Sequence, residues 1–171
     1  MRQRDRRFDV KYPGGCAATI ATGESGSFMN APATPIHVLL VEDNPLDARV
    51  AMRTIDAWST PSTVTHLDDT PVALAYLQEP MNLAPDLVLL DLNLPSGTGH
   101  DVLAQIRQSE RHAHVPVVVF TTSQADDDVR RSYELGANAF VSKPLDLAGW
   151  EQAFGTVESF WFGTATLPPN G

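Results

Sequence analysis

The chain has 171 residues, 12 basic against 21 acidic side chains, and a net charge of −9. That size fits one domain with a real core, and the acidic balance disfavours non-specific binding to nucleic acid or anionic lipid. A single cysteine, Cys16, excludes an intramolecular disulfide framework and a cysteine metal cluster. No apolar stretch reaches membrane-span length and no signal-peptide apolar region opens the chain, so a cytoplasmic protein is expected.

Residues 1–34 are rich in Arg, Gly, Ser and Thr and show neither helical nor strand periodicity. Up to residue 29, five basic side chains face three acidic ones, a net of +2 that leaves −11 for the rest. The segment is expected to be a disordered extension, a basic arm with its own partner, or a mis-assigned start with Met29 as initiator.

From Ile36 onward strand and helix signals alternate. The first apolar run, Val38 to Val41, meets Glu42 and Asp43. Asn44 suits an N-cap and Pro45 a first helical turn, which predicts a helix to about Trp58. A weak strand follows around Ser62 to His66, then a helix from about Thr70 to Gln78. The run Leu87 to Leu90 ends in Asp91, and a loop over Leu94 to Gly99 leads into a helix through about Ser109. His112 and His114 do not form a zinc pattern and are read as a solvated stretch before the fourth strand.

The run Val117 to Phe120 ends in Thr121. Ser123 and Asp126 then fit a capping box, and Asp126, Asp127 and Asp128 suit the positive end of a helix dipole. Val129, Tyr133 and Leu135 give that helix a thin apolar stripe, and Gly136 is placed as its left-handed stop. Ala139 to Val141 leads through Ser142 to Lys143. Leu147, Trp150, Phe154, Val157 and Trp161 form one broad apolar face of a last helix, and with only a short tail beyond Phe162 no second output domain is expected.

Continuous apolar runs read as buried parallel strands. Regular β-α alternation with right-handed crossovers predicts an α/β fold with a doubly wound sheet of five parallel strands. Ligands bind outside the carboxyl ends of such strands, so Glu42, Asp43, Asp91, Thr121 and Lys143 are expected at one edge. Three carboxylates there repel by about 4 kcal/mol per pair at 4 Å and an effective dielectric of 20. A divalent cation relieves this, and oxygen-only ligands favour Mg²⁺ over zinc. Asp91, next to a buried strand, needs a partner, and as a carboxylate it suits attack on phosphorus. Lys143, one of only two lysines, supplies an ammonium to a phosphoryl oxygen and Thr121 a hydroxyl.

The set V-L-L-V-E-D-N-P (from Val38), L-L-D-L-N-L-P (from Leu89), V-V-V-F-T-T-S (from Val117) and G-A-N-A-F-V-S-K-P (from Gly136) resembles the receiver domain of bacterial two-component response regulators. The resemblance covers about Ile36 to Phe160. It implies a flavodoxin-like sheet in the order 2-1-3-4-5, and a receiver over 35–162 followed by a short tail over 163–171. It further implies Asp91 as phosphoacceptor, charged by a phosphohistidine on a sensor kinase, in a signalling protein that is not an enzyme. Mg²⁺ is implied on Asp43, Asp91 and the Asn93 backbone carbonyl, with Glu42 acting through metal-bound water. Thr121 and Phe140 match the family's switch pair, although Phe140 departs from the commoner tyrosine. A cis Lys143–Pro144 bond is implied as well.

The stretches T-T-S-Q (from Thr121), Ser132–Tyr133 and F-W-F (from Phe160) are similar to the stand-alone regulators of phytochrome-type kinases. That similarity implies a bacteriophytochrome partner and a homodimer through the fourth helix, fifth strand and fifth helix. Direct signalling through that face and transfer to a histidine phosphotransfer protein both remain open. An aspartyl-phosphate hydrolase of the haloacid-dehalogenase type is the enzyme alternative, but its paired aspartates lie around the first strand.

Overall fold

A computed structural model describes residues 10–11 and 35–168. The expectations for residues 1–34, including Met29 as initiator, lie outside the described residues apart from Val10 and Lys11, as does the end of the tail over 169–171. The described elements are β1 (Val10–Lys11), β2 (Ile36–Val41), α1 (Pro45–Asp56), β3 (Ser62–Leu67), α2 (Thr70–Gln78), β4 (Leu87–Leu90), α3 (Gly99–Gln108), β5 (Val117–Thr121), α4 (Asp126–Glu134), β6 (Ala139–Ser142) and α5 (Leu147–Trp161).

The strands form one sheet in the order β1-β3-β2-β4-β5-β6. β2 to β6 are parallel and by themselves run in the expected 2-1-3-4-5 order. β1 is an addition that the sequence pattern does not announce: Val10 and Lys11 pair antiparallel with Thr65 and Val64 at the sheet edge.

Successive strand residues point to opposite faces, and here both faces are covered. Leu39, Val41, Val88, Leu90, Val117 and Val119 meet Tyr76, Leu77, Val102, Leu103 and Ile106 of α2 and α3. Val38, Leu40, Leu87, Leu89, Val118 and Phe120 meet Ala51 and Ile55 of α1 and Trp150, Phe154 and Val157 of α5. Polar alternation has no place in such strands, which is why the runs are apolar throughout. The ring centroids of Phe120, Trp150 and Phe154 lie 4.8, 5.1 and 5.7 Å apart. The Trp150 indole N–H donates to the Pro144 carbonyl at 3.0 Å, so this core fixes the loop beside Lys143.

The helix starts obey local chemistry where a side chain is free to cap. Asn44 Oδ1 accepts from the Leu46 N–H at 2.9 Å with Pro45 in the first turn, and Thr98 with Asp101 forms a capping box for α3. α4 departs from expectation. It begins at Asp126 behind Ala125, without a side-chain cap. The Ser123 amide donates to Thr121 Oγ1 at 3.3 Å, which keeps Ser123 in the loop, and its hydroxyl donates to the Asp128 carboxylate.

The expected α4 stripe is also corrected, since Tyr133 is 51% exposed and Ser132 is the buried residue. The Ser132 hydroxyl lies 3.0 Å from the His100 ring nitrogen and donates to the Asp128 carbonyl at 2.7 Å, which satisfies it in the interior. On α5, Trp150, Phe154 and Val157 are buried but Leu147 is not; at that turn Gly149 lies against Pro144 instead. His112 is buried rather than solvated, because the turn after α3 folds it inward through its N–H to the Ser109 carbonyl. Burial holds its pKa below the ordinary histidine value, while His114 is exposed. No peptide bond among the described residues is cis, so Lys143–Pro144 is trans, the isomer favoured by about 0.5–1 kcal/mol. No helix among the described residues is long and apolar enough to cross a membrane.

Candidate functional site

Sheet hydrogen bonding continues one residue past the strands and fixes the two inner acids. The Glu42 N–H donates to the Leu67 carbonyl and the Asp91 N–H to the Val41 carbonyl, both at 2.9 Å. These bonds leave Glu42 and Asp91 almost wholly buried at the carboxyl edge. The Lys143 N–H donates to the Thr121 carbonyl at 2.8 Å, which brings the lysine to the same edge from β6.

Its ammonium closes the cluster. Lys143 Nζ lies 2.6 Å from Asp91 Oδ2, 2.6 Å from Glu42 Oε2 and 3.0 Å from Asp47 Oδ2. An ammonium has three N–H groups, and each has an anionic acceptor here. Asp91 Oδ1 accepts from the Asn93 N–H at 3.0 Å, and the Asn93 amide donates to Thr121 Oγ1 at 3.4 Å and Thr122 Oγ1 at 3.3 Å. Thr121 is fully buried. Its oxygen accepts from Ser123 and Asn93, so its own O–H proton is free to donate.

Burial pushes the Glu42 carboxyl up to about 7 against the pull of Lys143. For Lys143, burial alone lowers the pKa, but its hydrogen bonds to Asp91 and Glu42 outweigh that and hold it above the ordinary lysine range. The ammonium therefore stays charged throughout the physiological range.

Carboxylate oxygens of Glu42, Asp43 and Asp91 lie within 4.8 Å of one another, with Asp43 exposed at the mouth. An all-oxygen acidic set of this kind fits a hard divalent cation such as Mg²⁺. Phe140 stands apart from the cluster. It pairs with Val119 in the sheet register and is half-buried against the α2–α3 core.

All the acids, the hydroxyl and the ammonium expected at the edge are brought together, with Asn93 beside them. Asp47 is the member that sequence reasoning missed. Its signal, an acid in the first turn of a helix, is what any helix N-terminus favours, so nothing in the pattern ties it to Lys143.

Gly99 sets the position of the loop after Asp91. Its N–H donates to the Leu92 carbonyl at 3.0 Å, and a Cβ there would stand 2.1 Å from the Asp91 carbonyl oxygen. Backbone cannot yield as a flexible side chain does. Gly99→Ala is expected to cost about 1–3 kcal/mol through overpacking, read as a lower urea midpoint; an unchanged midpoint would show that the loop relaxes freely.

The sequence matches the response regulator receiver domain family over residues 38–154, and the chain belongs to that family. FilR2, a probable methanogenesis regulatory protein of Methanothrix harundinacea, is 38% identical over 148 residues, covering 85% of this chain and 95% of that protein. Response regulator Rcp1 of Synechocystis sp. is 39% identical over 138 residues, covering 78% and 94%. The phosphorylated cyanobacterial phytochrome response regulator RcpA superposes with a TM-score of 0.75 at 38% identity, over 80% of this chain and 100% of that one. The Mn²⁺-bound form of Rcp1 gives a TM-score of 0.74 at 39% identity, over 79% and 100%. The chain is thus a receiver-domain response regulator of two-component signalling.

Proposed function

We propose that this protein, in the cytoplasm, accepts a phosphoryl group on Asp91 from the phosphohistidine of a sensor kinase and signals through the face built from α4, β6 and α5. The observation that carries this reading is Lys143 Nζ at 2.6 Å from a buried Asp91 carboxylate inside an acidic cluster. An Asp91 oxygen attacks phosphorus, the bond from phosphorus to the donor nitrogen breaks, and its electron pair leaves with the donor. Lys143 holds a phosphoryl oxygen, and the Thr121 hydroxyl donates to another. Mg²⁺ on Asp43, Asp91 and the Asn93 carbonyl, with Glu42 reached through water, would neutralise charge on the phosphoryl oxygens. Phe140 has no hydroxyl, so its switching role is steric: the ring fills or leaves space as Thr121 moves.

The similarity to the phytochrome response regulator RcpA supports a phytochrome-type kinase as the donor. Homodimerisation is supported by an uncharged groove of about 540 Å³ between β6 and α5, lined by Val141, Ala153, Phe160 and Trp161 among others. Phe160 is half exposed there. Onward transfer to a histidine phosphotransfer protein is the same chemistry in reverse and needs no further residue.

Intact mass after incubation with Mg²⁺ and a small phosphodonor tests the proposal. Gain of one phosphoryl group that chelation of Mg²⁺ prevents is the expected result, with a shift to larger size on gel filtration if the dimer is the output. No gain from either a small donor or a phosphorylated sensor kinase would refute it.

A further inference from the structure

An ammonium and a divalent cation would compete for the same two acids in this site. Lys143 Nζ lies 2.6 Å from Glu42 Oε2 and 2.6 Å from Asp91 Oδ2, and those acids are the ones a divalent ion would share with Asp43. Positive charges in a site shielded from water repel strongly. Full engagement of both acids by the metal requires that the ammonium have somewhere else to bond. The carboxylate of Asp47 offers that place, 3.0 Å from Nζ and with a side chain 26% exposed against 4% for Glu42 and Asp91. Favourable charge at the start of α1 explains an acid in this turn. It does not explain an ion pair with an ammonium 96 positions away.

We propose that Asp47 is a positioning residue that seats Lys143. It would draw the ammonium aside when a divalent cation engages Asp91 and, through water, Glu42, and would anchor it while the freed N–H groups turn to the phosphoryl oxygens. Of the three carboxylates around Lys143, Asp47 alone neither accepts the phosphoryl group nor belongs to the acid triad of the metal. The proposal rests on reading the site as a metal-assisted phosphoacceptor.

Mg²⁺ alone, titrated calorimetrically into wild type, Asp47→Asn and Asp47→Glu, tests it, with unfolding in chelator as the control for a purely structural role. Asp47→Asn is expected to bind Mg²⁺ about tenfold more weakly, because Lys143 then stays on the metal's acids. Asp47→Glu is expected to recover most of that loss. In a Lys143→Ala background the Asn substitution is expected to have little effect, since the coupling runs through the ammonium. Equal Mg²⁺ affinity in wild type and Asp47→Asn would overturn the proposal, even with a lowered melting temperature. So would a loss that persists without Lys143, which would be bare charge. Wild type that binds no Mg²⁺ would remove the functional reading as well, so the two failures are distinguishable.

Discussion

Asp91→Asn is expected to remove phosphoryl acceptance completely while leaving the fold intact. The carboxamide has the shape of the acid but lacks the anionic oxygen that attacks phosphorus. The neighbourhood tolerates the loss of charge. Lys143 keeps Glu42 at 2.6 Å and Asp47 at 3.0 Å, so its ammonium is not left unpaired, and one source of repulsion in the acid cluster disappears. The Asn93 N–H still finds an acceptor in the side-chain oxygen at position 91, which replaces the present 3.0 Å bond to the carboxylate. Intact mass with Mg²⁺ and a phosphodonor is the check, with urea unfolding in chelator alongside. A variant that still gains one phosphoryl group would place the acceptor elsewhere, Asp43 being the exposed acid nearest to hand.

The contrast between what was legible in the sequence and what was not has a physical basis. Asp91, Thr121 and Lys143 each follow an apolar run, and parallel topology carries the end of every such run to one edge. Chain order alone therefore assembles the chemistry. Asp47 follows no run, and its partner is 96 positions away, so its role exists only in three dimensions. Ser123 carries the composition of a cap, but a short-range turn in which Thr121 Oγ1 accepts from its amide outweighs that preference. His112 looks solvated beside His114, and only the inward turn after α3 decides otherwise. At Ser123 and His112 the expected pattern fails because a competing short-range turn takes the backbone N–H.

Lys143→Ala is expected to cost about 3–5 kcal/mol in chelator, because breaking a buried ion pair from one side leaves its partners uncompensated. Glu42, Asp91 and Asp47 all lose their counter-charge at once. The effect depends on pH with a definite sign. Even with Lys143 present, burial raises the Glu42 carboxyl from 4.5 to about 7. A raised folded pKa means that the stability Glu42 contributes is complete below 4.5 and is lost as pH rises through 7. Without the ammonium that loss grows, so chelated Lys143→Ala should be destabilised more at pH 8 than at pH 5. Mg²⁺ should restore much of the difference, since saturation to about a hundred times Kd stabilises a protein by about 2.7 kcal/mol. Phosphorylation should survive in slower form, because Asp91 remains, but any size shift of the wild type on phosphorylation should not follow it. Denaturation at the two pH values, with and without Mg²⁺, separates these effects. Equal loss at both would mean that the acids stay paired by other means, and that the lysine acts on the phosphoryl group without holding the acid cluster together.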